Sequence, residues 1–122
     1  MIKLMTKQFS KWASKQEIPK NELAKALEEI STDKCAANLG GHIYKKRIRF
    51  DGQGKSGSGR TIICYKKEDR TIFIHGFAKN EKANLSQKEL HAFKEFAKIL
   101  LRLSKKEIDL AVKDEILIEV KS

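Results

Sequence analysis

The sequence has few cysteines, a single proline and no long apolar run. The cysteine count and the lack of an apolar run each exclude a class of protein. Cys35 and Cys64 lie 29 positions apart without a CxxC pair, so neither a disulfide framework nor a cysteine zinc site is predicted. No low-complexity segment or interdomain linker is apparent. No apolar run approaches the roughly 20 residues that cross a bilayer, and residues 1–5 are too short for the apolar region of a signal peptide. A cytoplasmic protein without a membrane partner is expected.

Acidic residues are scarce where basic residues are dense. The 122 residues carry a formal net charge of +10. Of the 25 residues from His42 to Lys66, seven are Lys or Arg and only Asp51 is acidic. The bare charge fits a nucleic acid, an anionic membrane surface or an acidic protein, but its concentration in one stretch favours a polyanion such as RNA or DNA.

At 122 residues and 40% hydrophobic content, the chain is predicted to form a single domain over residues 1–122. Residues 2–5 have the composition of a short strand. Thr6 is a candidate cap for a helix that must end before Pro19, and Trp12 is predicted to anchor it in the core. Asn21 is a candidate cap for a second helix, and the two helices are predicted to form an antiparallel hairpin.

The middle of the chain reads as an antiparallel meander. Gly40 and Gly41 mark a turn, and the segments 44–50, 60–66 and 71–77 have the β-branched and aromatic content of strands. Ser86 and Ser104 each begin a capping-box pattern, so two C-terminal helices are predicted, followed by a short strand or an extended tail. The predicted fold class is α+β, with a twisted antiparallel sheet of three to five strands.

Alternation along the first meander strand predicts a cationic row. Lys45, Arg47 and Arg49 fall on one face, and Tyr44, Lys46, Ile48 and Phe50 fall on the other. A row of cations without a carboxylate suits a polyanion, although a plain solvated face is the alternative. Arg60 begins the neighbouring strand and Lys79 follows the third, so together these cations could surround one phosphate.

The glycine-rich segment 51–59 contains Gly54, Lys55 and Ser56, but it lacks the earlier glycine and the following helix of a nucleotide-binding P-loop. Nucleotide hydrolysis is therefore excluded. The remaining interpretations are a backbone that approaches an RNA or DNA phosphate and an ordinary hairpin tip.

The sequence shows no metal-ligand spacing and no pattern that indicates a cofactor, so neither is predicted. His75, in an apolar strand, is interpreted as a hydrogen-bonded structural residue or, alternatively, as a proton carrier near the cationic row.

Three segments, in this order and spacing, resemble toxins of bacterial type II toxin–antitoxin modules, in the HigB-like branch of the RelE/ParE superfamily. They are residues 39–47, the loop from Gly54 to Arg60, and residues 77–81 before the long helix. The resemblance covers essentially the whole chain and implies a compact RelE-like fold. It further implies an endoribonuclease that cuts messenger RNA on the ribosome, with weak or absent activity away from it. A cognate antitoxin, encoded beside the toxin and joined with it in a hetero-oligomer, is the implied protein partner.

Carried over by position, the resemblance implies four catalytic residues. Arg60 is assigned to binding of the scissile phosphate. Lys45 or Arg47 is assigned the role of general base or of electrostatic stabilisation. The fourth is Lys79. The predicted RNA-binding residues are Lys46, Arg49, Lys55, Ser56, Asn80 and Lys82.

The chain departs from RelE at two points. Asn80 stands where RelE has an arginine, and no tyrosine lies near Ser86. Lys82, His75 or ribosomal RNA groups could compensate, so the general base stays open. The alternatives are a ParE-like toxin that inhibits gyrase and a non-enzymatic nucleic-acid-binding module, which would normally interleave exposed aromatics with its cations.

Overall fold

A computed structural model describes residues 1–32, 36–49, 58–78 and 85–121. Six strands and four helices occur in these ranges. In chain order they are β1 (Ile2–Thr6), α1 (Lys7–Lys15), α2 (Lys20–Ser31), β2 (Ala36–Gly40), β3 (Ile43–Arg49), β4 (Ser58–Lys66), β5 (Arg70–Ala78), α3 (Gln87–Arg102), α4 (Lys105–Lys113) and β6 (Leu117–Glu119).

The described strands form one sheet in the order β2-β3-β4-β5-β1-β6. The three pairs β2 with β3, β3 with β4 and β4 with β5 are antiparallel, which confirms the predicted meander from β3 to β5. However, β1 runs parallel to β5, and β6 runs antiparallel to β1. The fold class is α+β as predicted, whereas the prediction of a purely antiparallel sheet of three to five strands was wrong.

The sheet separates two hydrophobic cores. On one face, α1 and α2 pack through Phe9, Leu27 and Ile30 against strand residues that include Ile63 and Phe73. On the other face, α3 and α4 pack against residues of the same strands; this core includes Ile43, Ile62, Ile72, Phe77, Ala97, Leu100 and Ile108. Because alternate residues of a strand point to opposite faces, both faces of β4 and β5 are apolar.

Local signals place most helix starts correctly. The Thr6 hydroxyl accepts a hydrogen bond from the Phe9 amide, and complete capping boxes begin α3 at Ser86 and α4 at Ser104. The prediction that Asn21 caps the second helix was wrong. Instead α2 begins at Lys20 after Pro19, whose extended backbone precedes the helix without a side-chain cap.

The predicted helical hairpin is matched only in part. Both helices are present and lie on the same face of the sheet, but α1 packs on β5 and β1, whereas α2 packs on β3. The strand β1 also precedes them, so the hairpin does not begin the fold. Among the described residues, no helix has both the length and the apolar character needed to cross a membrane.

Candidate nucleic-acid interface

Strand β3 carries the predicted cationic row on the α3 side of the sheet. Ile43 is buried in the core beneath α3 and α4, whereas Tyr44 and Ile48 pack in the core beneath α1 and α2. Alternation from these residues places Lys45, Arg47 and Arg49 on the α3 side. The two cores therefore fix which face of β3 is positively charged.

Strand β4 adds a fourth cation to that row. Arg60 pairs directly with Arg47 in the antiparallel register of β3 and β4. It shares its face with Ile62, which belongs to the core beneath α3 and α4. We call Lys45, Arg47, Arg49 and Arg60 the cationic face.

One hydroxyl orients the centre of the cationic face. The Arg47 Nε atom donates a hydrogen bond to the Ser58 Oγ atom at 2.9 Å, and Ser58 itself is buried. Ser58 is the cross-strand partner of Arg49. The bond holds the Arg47 guanidinium along β4, close to the start of that strand.

Arg60 has an unfilled donor. Its Nη1 atom is inaccessible to solvent and has no hydrogen-bond partner among the described residues. A buried donor without an acceptor costs about 1–3 kcal/mol, and more when the group is charged. The Arg60 side chain as a whole is half-buried, and guanidinium groups bind phosphate through charge-assisted hydrogen bonds.

The three arginines of the cationic face have no described carboxylate that balances their charge. Arg47 and Arg49 are exposed, Arg60 is half-buried, and no described carboxylate lies within 4.0 Å of any of the three guanidinium groups. Like charges directly opposite one another on a sheet are destabilising. A polyanion bound here would relieve that repulsion.

The structure separates one predicted RNA-binding residue from the others. Lys46 points to the opposite face of β3, where its side chain is only 4% exposed and its Nζ atom lies 3.3 Å from the Glu29 Oε1 atom of α2. Five further predicted site residues lie outside the described ranges: Lys55, Ser56, Lys79, Asn80 and Lys82. Of the ten predicted residues, the structure thus brings together Lys45, Arg47, Arg49 and Arg60.

A histidine joins the cationic face from β5. His75 pairs with Ile62, and its ring lies 5.2 Å from that of Phe93 on α3 and 6.1 Å from that of Phe77, centre to centre. The sequence alone left two interpretations of His75 open, because its direction depends on an irregularity in β5. A run of consecutive apolar residues carries no alternation that would reveal that irregularity.

Two clefts lie at the edge of the sheet formed by β6. They have volumes of about 350 and 380 Å³, and both are lined by Val112 and Glu119. Their charged lining residues are of both signs, unlike the cationic face. Within the described ranges, no group of three or more His, Cys, Asp or Glu side chains is arranged to hold a metal ion.

Comparison with known proteins identifies the family of the chain. A family model described as "RelE toxin of RelE / RelB toxin-antitoxin system" matches residues 2–120, a range that contains every described strand and helix. A comparison with curated proteins found no match.

Proposed function

The chain belongs to the RelE toxin family of toxin–antitoxin systems, and we propose that it is an endoribonuclease that cuts messenger RNA on the ribosome. The observation that carries this proposal is the opposed pair Arg47 and Arg60 on a face that has two further cations. Such an arrangement suits a phosphodiester that must gain negative charge during reaction.

The proposed reaction is attack of a ribose 2′-oxygen on the adjacent phosphorus. A bond forms from the 2′-oxygen to phosphorus, the bond from phosphorus to the 5′-oxygen breaks, and the strand ends in a 2′,3′-cyclic phosphate. Negative charge develops on the non-bridging phosphate oxygens. Fixed cations aimed at that charge lower the barrier, and loss of one such donor typically costs about 100-fold or more in rate.

The described side chains suggest a division of roles. Arg60 binds the scissile phosphate, and Arg47, held by Ser58, neutralises the same phosphate from the opposite strand. Lys45 adds electrostatic stabilisation from the same row, while Arg49, at the exposed end of β3, binds a neighbouring phosphate of the RNA backbone. Lys79 stays a predicted catalytic residue, and Lys55, Ser56, Asn80 and Lys82 stay predicted RNA contacts. Lys46 is left out because it is buried against Glu29.

The proposed partners are the translating ribosome with its messenger RNA, and a cognate antitoxin that binds this toxin in a hetero-oligomer. The excess positive charge of the chain favours an acidic antitoxin segment as the group that masks the cationic face. The proposed location is the cytoplasm, where translation takes place.

Induced expression in a bacterial host, followed by mapping of messenger-RNA 5′ ends, tests this function. The wild type should stop growth and produce cuts within translated messages, whereas Arg60→Ala should produce neither while remaining folded and soluble. Growth arrest without cuts would favour a gyrase-directed toxin of the ParE kind. No arrest at all would favour a non-enzymatic binding module.

A further inference from the structure

An irregularity in β5 turns His75 toward the cationic face. His75 pairs with Ile62, but the next residue of β4, Ile63, pairs with Phe73, so Ile74 is an extra residue in β5. Strict alternation from Phe73, which lies in the core beneath α1 and α2, would place His75 under those helices. The bulge instead puts it on the α3 side. Bulges re-aim side chains in this way and are common next to active sites.

The bulge is tied to the start of α1. The Thr6 hydroxyl donates a hydrogen bond to the Ile74 carbonyl at 3.2 Å and accepts one from the Phe9 amide at 3.1 Å. Thr6 is 9% exposed, so these bonds are shielded from water. The helix cap thereby fixes the residue that precedes His75.

His75 is positioned across the sheet from the cations. Lys45, Ile62 and His75 form one cross-strand row, and Arg47, Arg60 and Phe77 form the next. His75 is therefore a diagonal neighbour of Arg60, a relationship that places Cα atoms about 7–8 Å apart. A phosphate bound by Arg60 would lie within one nucleotide of the imidazole.

The cleavage needs a group that takes the proton of the 2′-hydroxyl. Arginine stays protonated in proteins, so Arg47 and Arg60 can stabilise charge but cannot accept the 2′-hydroxyl proton. Among the described strand residues, the sheet register places the charged side chains of Lys45, Arg47 and Arg60 beside His75. On α3, Glu89 and Lys94 flank Phe93; Glu89 accepts the Ser86 amide hydrogen, and the Lys94 stem packs along Gly41.

We infer that His75 is the general base of the cleavage, an inference that rests on the proposed function. Its ring nitrogen takes the proton of the 2′-hydroxyl while the 2′-oxygen forms its bond to phosphorus. The bond from phosphorus to the 5′-oxygen breaks, and the departing oxygen takes a proton from water. Arg60 holds the phosphate so that the attacking and leaving oxygens are in line.

Single-turnover cleavage of ribosome-bound messenger RNA, measured across pH, tests the role of His75. Wild-type cleavage should accelerate with pH and then level as the base becomes fully deprotonated. His75→Ala should be at least about 100-fold slower, and its rate should keep rising with pH as hydroxide replaces the base. The control His91→Ala, which alters an exposed histidine on α3, should match the wild type.

A substrate with sulfur in place of the leaving 5′-oxygen distinguishes whether His75 acts as the general base or as the general acid. Sulfur departs without a proton. If His75 is the base, His75→Ala should therefore reduce the cleavage rate by the same factor on both substrates. Recovery on the sulfur substrate would make His75 the acid and overturn the inference. A slow variant with an unchanged pH profile, or a fully active one, would also overturn it. In those cases the wild type still cleaves, whereas a wild type that leaves ribosome-bound RNA intact would overturn the proposed function itself.

Discussion

Arg47 and Arg60 lie directly opposite each other on β3 and β4, with both side chains on the α3 side of the sheet. Such a like-charge pair reduces stability, and only Arg47 of the two has a described hydrogen bond, to Ser58. A bound anion would relieve this repulsion.

Replacing Arg60 with methionine should abolish cleavage without weakening the fold. Met keeps most of the apolar stem and removes both the charge and the unpaired donor, so we expect the free energy of unfolding in urea to stay unchanged or to rise by up to about 3 kcal/mol. The matched control is Arg70→Met. Arg70 is buried and donates to the Leu100 and Leu103 carbonyls at 2.8 Å, so its loss should cost at least about 2 kcal/mol. An equal loss in Arg60→Met would make Arg60 a structural residue.

Lys46 and Arg47 are neighbours in sequence but should affect different properties. Arg47→Met should weaken ribosome binding and lower the slope of log affinity against log salt by about one. Lys46→Met should leave that slope unchanged, because Lys46 is buried on the other face and paired with Glu29. Binding titrations at several salt concentrations measure both effects. A reduced slope for Lys46→Met would return this residue to the RNA interface.

Loss of Glu29 should destabilise the protein more when Lys46 is present than when it is absent. A buried ammonium without its carboxylate carries an uncompensated desolvation cost. Urea unfolding of Glu29→Ala, Lys46→Met and the double variant closes a mutant cycle. Additive losses would mean that the pair contributes no coupling energy.

Gly76→Ala should destabilise the fold because the Trp12 ring covers Gly76. A Cβ atom added at Gly76 would lie far inside contact distance of the Trp12 Cε3 atom. Overpacking of this kind typically costs about 1–3 kcal/mol. The same substitution in a Trp12→Ala background should cost much less, since the clashing ring is gone. Equal losses in both backgrounds would show that the ring is not the cause.

Asp69 should contribute stability at neutral pH that is lost in acid. Its hydrogen bond from Arg70, reinforced by the charges of Arg70 and Lys66, holds the pKa of Asp69 below its ordinary value of 3.8. The unfolded carboxylate therefore binds a proton more readily than the folded one, so stability falls as pH decreases. The contribution is complete above the unfolded pKa and disappears as pH falls through the folded pKa. In urea unfolding, Asp69→Asn should have a lower free energy of unfolding than the wild type at pH 7, and this difference should become smaller below pH 4. A difference that does not change with pH would contradict this linkage.

Cys64 should resist alkylation while the protein is folded. Burial raises the pKa of the Cys64 thiol to about 12, with a smaller opposing effect of the Arg70 charge. The reactive thiolate is then rare at pH 8, and the side chain is also inaccessible to reagent. In a Cys35→Ser background, labelling should be slow in buffer and fast in urea. Rapid labelling in buffer would show that β4 opens locally.

Local sequence patterns were sufficient to predict most of the helices and the central strands. Ser86 and Ser104 begin capping boxes because a cap is a contact between residues three positions apart. The alternation from Ile43 to Arg49 likewise placed three cations on one face of a strand. Strand β2 was missed because Ala36–Gly40 lacks β-branched and aromatic residues, and it forms a strand through its pairing with β3.

The sequence by itself determined the α+β class, the meander and the presence of a cationic row, because each depends on short-range periodicity or on charge. Tertiary structure decided the parallel pairing of β1 with β5, the opposition of Arg47 and Arg60, the burial of Lys46 against Glu29, and the bulge that turns His75. These features join residues far apart in the chain. Their register is set by how the two cores pack on the sheet, and no local pattern encodes that packing.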